Sequence, residues 1–130
     1  MLTLDVVDTL DEFTKAYIVA MLWAETDGDK PLDDDHGIYD LAPEALARCI
    51  ADCKQFQRNN AADLAQFDSK EWTPEELGGH DLLLTRNHHG CGYWDRNCLP
   101  KPARNRLTDA AHRLGEVYPY VGDDGLIYLL

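Results

Sequence analysis

The sequence is short of positive charge, of long apolar runs and of paired cysteines, and each shortage argues against a class of function. Twelve lysines and arginines stand against 24 aspartates and glutamates in 130 residues, a net charge of −12. Such a surface repels phosphate, which argues against direct binding of nucleic acid or of an anionic membrane. No stretch approaches the roughly 18 consecutive apolar residues that a membrane span requires. The longest apolar patch, AYIVAMLWA, reads as the face of a buried helix. MLTLDVVD carries no basic segment followed by an apolar one, so it does not read as a signal peptide and a cytoplasmic location is expected. The four cysteines form no Cys-x-x-Cys. Cys49 and Cys53, four apart in a helical pattern, read as small core residues, and reduced thiols are expected. A phosphate-binding loop, a nucleophile elbow and a paired-histidine zinc helix are also missing.

What is present is an ordinary globular composition, 45% apolar and 28% charged, with room for one hydrophobic core, so residues 1–130 read as one domain. The charge is uneven. Residues 1–45 hold twelve acids and two bases, whereas residues 86–113 hold six bases and two acids.

Thr9-x-x-Glu12 before an apolar run predicts a capped helix from about residue 10 to 24. ETDGDKPLDDDHGIYD predicts a loop, and Pro43-Glu44 opens a second helix with a buried stripe of Leu46, Cys49, Ile50, Cys53 and Phe56. Asn59-Asn60 is expected to bend or break it. Thr73-Pro74-Glu75-Glu76 signals a third helix, which Gly78-Gly79 should stop after one turn. HDLLLTRN, although Leu82 to Leu84 alone also fit a helix, and GYWDR then read as two strands ended by Pro100 and Pro102, and a last helix as running from about Asn105 to Leu114. In YPYVGDDGLIYLL two β-forming runs flank Asp-Asp-Gly, which predicts a hairpin. The expected class is α+β, N-terminal helices packed on a small C-terminal antiparallel sheet built from hairpins.

Candidate chemistry concentrates in NHHGCGYWDRNC, Asn87 to Cys98. A metal reading would use His80, His88, His89, Cys91 and Cys98. Their spacing does not match the ligand pairs of zinc sites, so neither a metal nor any other cofactor is expected. A catalytic reading would make His88 or His89 a base oriented by Asp95, with Arg96 stabilising an anion and Cys91 a potential nucleophile. A structural reading makes the segment a glycine-permitted turn between strands, with Tyr93 and Trp94 on opposite faces and Asp95 and Arg96 paired locally or with Arg86. An exposed aromatic beside Arg96 also suits a protein-binding surface. The aspartates Asp27, Asp29, Asp33, Asp34 and Asp35 do not fit the calcium-loop register. They read as a solvated acidic face or as one imitating the phosphate row of DNA.

The motifs Gly79-His80-Asp81, Leu84-Thr85-Arg86-Asn87, His89-Gly90, Gly92, Trp94-Asp95-Arg96, Leu107-Thr108 and Tyr120-Val121-Gly122-Asp123-Asp124-Gly125 carry a resemblance. Over about its last 50 residues the chain resembles a group of small acidic proteins of tailed bacteriophages and prophages. It departs from their pattern at His88, where glycine is usual, and at Cys91, where a small residue is usual. The shared polar residues able to act are His80, Asp81, Arg86, His89, Asp95 and Arg96, with Trp94. The resemblance implies a non-enzymatic accessory protein that binds a host protein, such as a counter-defence or host-takeover factor; the acidic loop and the aromatic beside an arginine offer Asp27, Asp29, Asp33, Asp34, Asp35, Trp94 and Arg96 as candidate contacts. A hydrolase-like enzyme centred on His89, Asp95 and Arg96, and a virion structural component, are the alternative expectations.

Overall fold

The computed structural model describes residues 1–130. Five helices, α1 (Leu4–Asp8), α2 (Glu12–Ala24), α3 (Pro43–Leu64), α4 (Pro74–Arg86) and α5 (Lys101–Leu114), are accompanied by two small antiparallel hairpins, one between α2 and α3 and one after α5. These are β1 (Thr26–Asp27) with β2 (Lys30–Pro31), and β3 (Pro119–Val121) with β4 (Ile127–Leu129). The class is α+β. No helix is long and apolar enough to cross a membrane.

The helix starts follow capping chemistry, with one shift of register. Asp11 caps α2, its carboxylate accepting from the Thr14 N–H at 2.8 Å. The expected cap, Thr9, instead closes α1 and donates its hydroxyl to the Val6 carbonyl. Thr73 and Glu76 form the expected reciprocal capping box at α4. α3 continues through Asn59 and bends at Asn60, whose φ of −131° leaves the helical region. The Asn60 side-chain amide donates to the Phe56 carbonyl at 2.9 Å, supplying a bond where the ladder is disturbed.

Two expectations for the centre of the chain are corrected. Gly78-Gly79 does not stop α4; the helix runs on through HDLLLTR to Arg86. The glycines serve contact with a neighbour. A Cβ at Gly79 would overlap the Phe13 carbonyl oxygen of α2, and one at Gly78 would lie 2.8 Å from the Phe13 ring. Backbone thus meets backbone where α2 crosses α4, the most extensive helix contact in the fold, and close packing offsets the roughly 0.5–1 kcal/mol that each helical glycine costs. GYWDR likewise is not a strand, because Tyr93–Asp95 forms a 3-10 turn packed on α4 and α5. Pro100 and Pro102 open α5 rather than end a strand, so that helix begins at Lys101.

The core is made by Phe13, Tyr17, Ile18 and Met21 of α2, Cys49, Cys53 and Phe56 of α3, Leu82 and Leu83 of α4, and Leu107 of α5. Tyr93 stacks on Phe56 at 6.0 Å. Arg86 is 1% exposed. Its guanidinium donates to the Tyr17 hydroxyl, the Asp52 carboxylate and the carbonyls of Leu114 and Gly115. The C-terminal hairpin has the expected turn, with Gly125 at φ +83° and Tyr120 stacked across strands on Tyr128. The Ala42 N–H donates to the Ile127 carbonyl and ties this hairpin to the start of α3.

Candidate functional site

After α4 the chain turns sharply, with His88, Gly90 and Gly92 at φ of 58°, 77° and 150°. Gly92 admits no side chain, because a Cβ there would collide with the Thr85 hydroxyl. That hydroxyl accepts from the Tyr93 N–H, and the Tyr93 hydroxyl donates to the Gly78 carbonyl. Tyr93 is buried and Trp94 is 49% exposed. They do point to opposite sides, as the sequence suggested, but through a 3-10 turn.

The polar residues of the motif take separate partners. Arg96 does not pair with Asp95 or Arg86; it grips Asp81 through two bonds of 2.7 and 2.8 Å. Burial pushes the Asp81 carboxyl up from its ordinary value, opposed by the Arg96 guanidinium, while the bonds to Asp81 hold Arg96 above its own. Asp95 accepts from the Gly92 N–H at 3.0 Å. Nε2 of His89 meets the Glu25 carboxylate. Glu25 also accepts from the Asn87 amide, which clasps the backbone of Val117 through both its N–H and its carbonyl. His89, Asp95 and Arg96 therefore form no common constellation. His89 and Cys91 do share a shallow pocket with Trp23, Ala24 and Leu84. Burial, with Asp95 and Asp81, raises the Cys91 thiol, the opposite of what activates a nucleophile. No group of three or more metal-ligating side chains converges.

The largest concavity lies elsewhere, between the outer faces of α2 and α4. It is a cleft of about 560 Å³ walled by Lys15, Ala16 and Val19 of α2 and by Leu77 and His80 of α4, with Trp72 and Arg96 at its margin. α2 is apolar on nearly every side, and on its outward stripe Ala16 is half-buried while Val19 and Trp23 are largely exposed. Val19 is 58%, Trp23 57% and Trp72 54% exposed. Trp23 stacks on His80 at 6.0 Å, and burial lowers the His80 imidazole below its ordinary value, favouring the neutral ring. The carboxylates in the wall are partly engaged. Glu12 accepts from the Thr73 hydroxyl and Glu76 from the Thr73 N–H.

Of the sequence-selected residues, His80 and Arg96 border this cleft, Asp81 supports Arg96 from beneath, and Arg86 is structural. Asp27, Asp29, Asp33, Asp34 and Asp35 are exposed on the β1–β2 hairpin and the following 3-10 turn, which pack beside α2. Trp94 sits instead on the turn packed against α4 and α5. Val19, Trp23 and Trp72 carried no motif. For Val19 and Trp23 the signal was a helix apolar on nearly every side; Trp72, in the bend before α4, had none. Comparison with known protein families, curated proteins and solved structures finds no match.

Proposed function

We propose that this chain is a non-enzymatic accessory protein of a tailed bacteriophage that docks onto a host protein in the cytoplasm of the infected bacterium, using the cleft between α2 and α4. The observation that carries the docking reading is the uncovered apolar stripe of α2, flanked by the half-exposed Trp23 and Trp72 in an otherwise strongly acidic chain. Apolar patches of this kind are characteristic of recognition surfaces, and tryptophan is enriched among residues that dominate binding energy. The resemblance of residues 79–125 to phage proteins supports the source. The exposed aspartates 27, 29, 33, 34 and 35 bias the choice of partner toward basic proteins, including those that bind nucleic acid. The absence of a shared geometry among His89, Asp95 and Arg96 supports binding over catalysis.

The test is affinity capture from bacterial host lysate with wild type and with Val19→Glu, a change at an exposed position. A host protein retained by the first and lost by the second is the expected result. If nothing is retained in a Val19-dependent way, the docking reading fails.

A further inference from the structure

Resting on that docking reading, we infer that the cleft receives an amphipathic α-helix of the partner protein, about three turns long, apolar along one face and carrying lysine or arginine at both ends. The backbone of the walls decides between a helix and an extended segment. α2 and α4 satisfy their own N–H and C=O groups, so the cleft has no sheet edge to pair with a strand. An extended segment laid over Ala16, Val19 and Leu77 would leave its own backbone groups without partners. A helix arrives with them bonded internally.

The length follows from α2. From Glu12 to Trp23 the helix rises about 16 Å, which matches three turns of a partner lying along it. The charge follows from the two ends. Beside Trp72 the cleft holds Glu12 and Glu76 against Lys15, with Lys70 and Glu71 just before Trp72 in the chain, and beyond Trp23 the chain enters the hairpin bearing Asp27 and Asp29 against Lys30. Between these ends the wall is Ala16, Val19 and Leu77 with the His80 ring, and the positive charge of Arg96 is matched by Asp81. A neutral middle between two acidic ends complements an apolar stripe between two basic ends. A second copy of this chain fits poorly, since each copy carries a net −12.

The experiment titrates the full chain with a synthetic helical peptide of about 14 residues, free of tryptophan, with a leucine stripe and lysines at both ends. The readout is the fluorescence of the chain's own tryptophans. Saturable binding with a blue shift is expected, weakening with salt and falling about tenfold or more with Val19→Glu. A peptide of the same composition broken by a central proline, and one with glutamates at its ends, should both bind at least about tenfold less well. Equal binding by either control, or no saturable binding by the lysine-ended helix, overturns the inference. So does a concentration-dependent dimer that Val19→Glu abolishes. A host protein captured through Val19 but seated by an extended or acidic segment overturns the helical occupant and leaves the docking reading standing. Peptide binding without any Val19-dependent host protein does the reverse.

Discussion

The carbonyl oxygen of Phe13 occupies the space in which a side chain at Gly79 would begin. The α2–α4 contact, and with it the cleft on its outer side, depends on that vacancy. Gly79→Ala is expected to force the helices apart and to destabilise the fold by about 2–3 kcal/mol, toward the upper end for overpacking. At Gly78 the obstacle is the Phe13 ring, which has more freedom to shift than backbone, so Gly78→Ala should cost less. Chemical denaturation of the two variants checks the order, and a Gly79→Ala as stable as wild type would contradict the contact.

Asp81 and Arg96 should behave as a buried pair whose partners are unequal. Arg96→Ala leaves a fully buried carboxylate alone and is expected to cost about 3 kcal/mol near neutral pH, at the low end for such pairs because Arg96 is partly exposed. The sign of the pH effect is fixed by burial, which raises Asp81 above its unfolded value. A carboxyl raised in the folded state is favoured when protonated, so its penalty grows as pH rises through the folded value and shrinks as pH falls. The deficit of Arg96→Ala should therefore narrow on acidification. Stability measured against pH tests this, and a deficit that widens in acid would refute it.

Asn87 joins three segments by hydrogen bonds to Glu25 and to both backbone groups of Val117. Asn87→Ala strands all of these in a buried site, so a loss of about 2–3 kcal/mol is expected. His89→Ala removes a part-exposed ring whose one hydrogen-bond partner is Glu25 and should cost less than half as much. Thermal unfolding of both variants gives the comparison.

The four thiols should divide by burial. Cys49 and Cys53 face the core, and burial pushes Cys49 up to about 12, so both should resist alkylation in the native protein. Cys91 and Cys98 are partly accessible and should react without denaturant. Mass spectrometry after a short alkylation pulse distinguishes the sites. Rapid labelling of Cys53 in the folded chain would contradict this arrangement.

The helical N-terminal half and the closing hairpin were legible because their signals are local. Proline at a helix start, an apolar stripe at helical spacing and glycine in an aspartate-rich turn act within a few residues. The centre misled for the complementary reason. Gly78-Gly79 has the local look of a stop, and only the distant Phe13 makes it a crossing point. Leu82 to Leu84 carries no periodicity that separates a strand from a buried helix. The pairings inside the polar motif were not legible, because Arg96 reaches back to Asp81 and His89 to Glu25, partners that no spacing rule connects. The cleft was missed because periodicity reports how apolar a helix is and not which of its sides the rest of the chain leaves bare.

Arg86 gives these elements a common fate. One guanidinium, rooted in α4, holds the Tyr17 hydroxyl of α2, the Asp52 carboxylate of α3 and the last carbonyls of α5. Any one of these helices that peels away breaks part of this set and exposes a charge whose remaining partners stay in the interior. Fraying of a single helix is thereby discouraged, and the amides of α2, α3, α4 and α5 should exchange with solvent as one cooperative unit. The outward face of α2 is consequently held in shape by a residue on its far side.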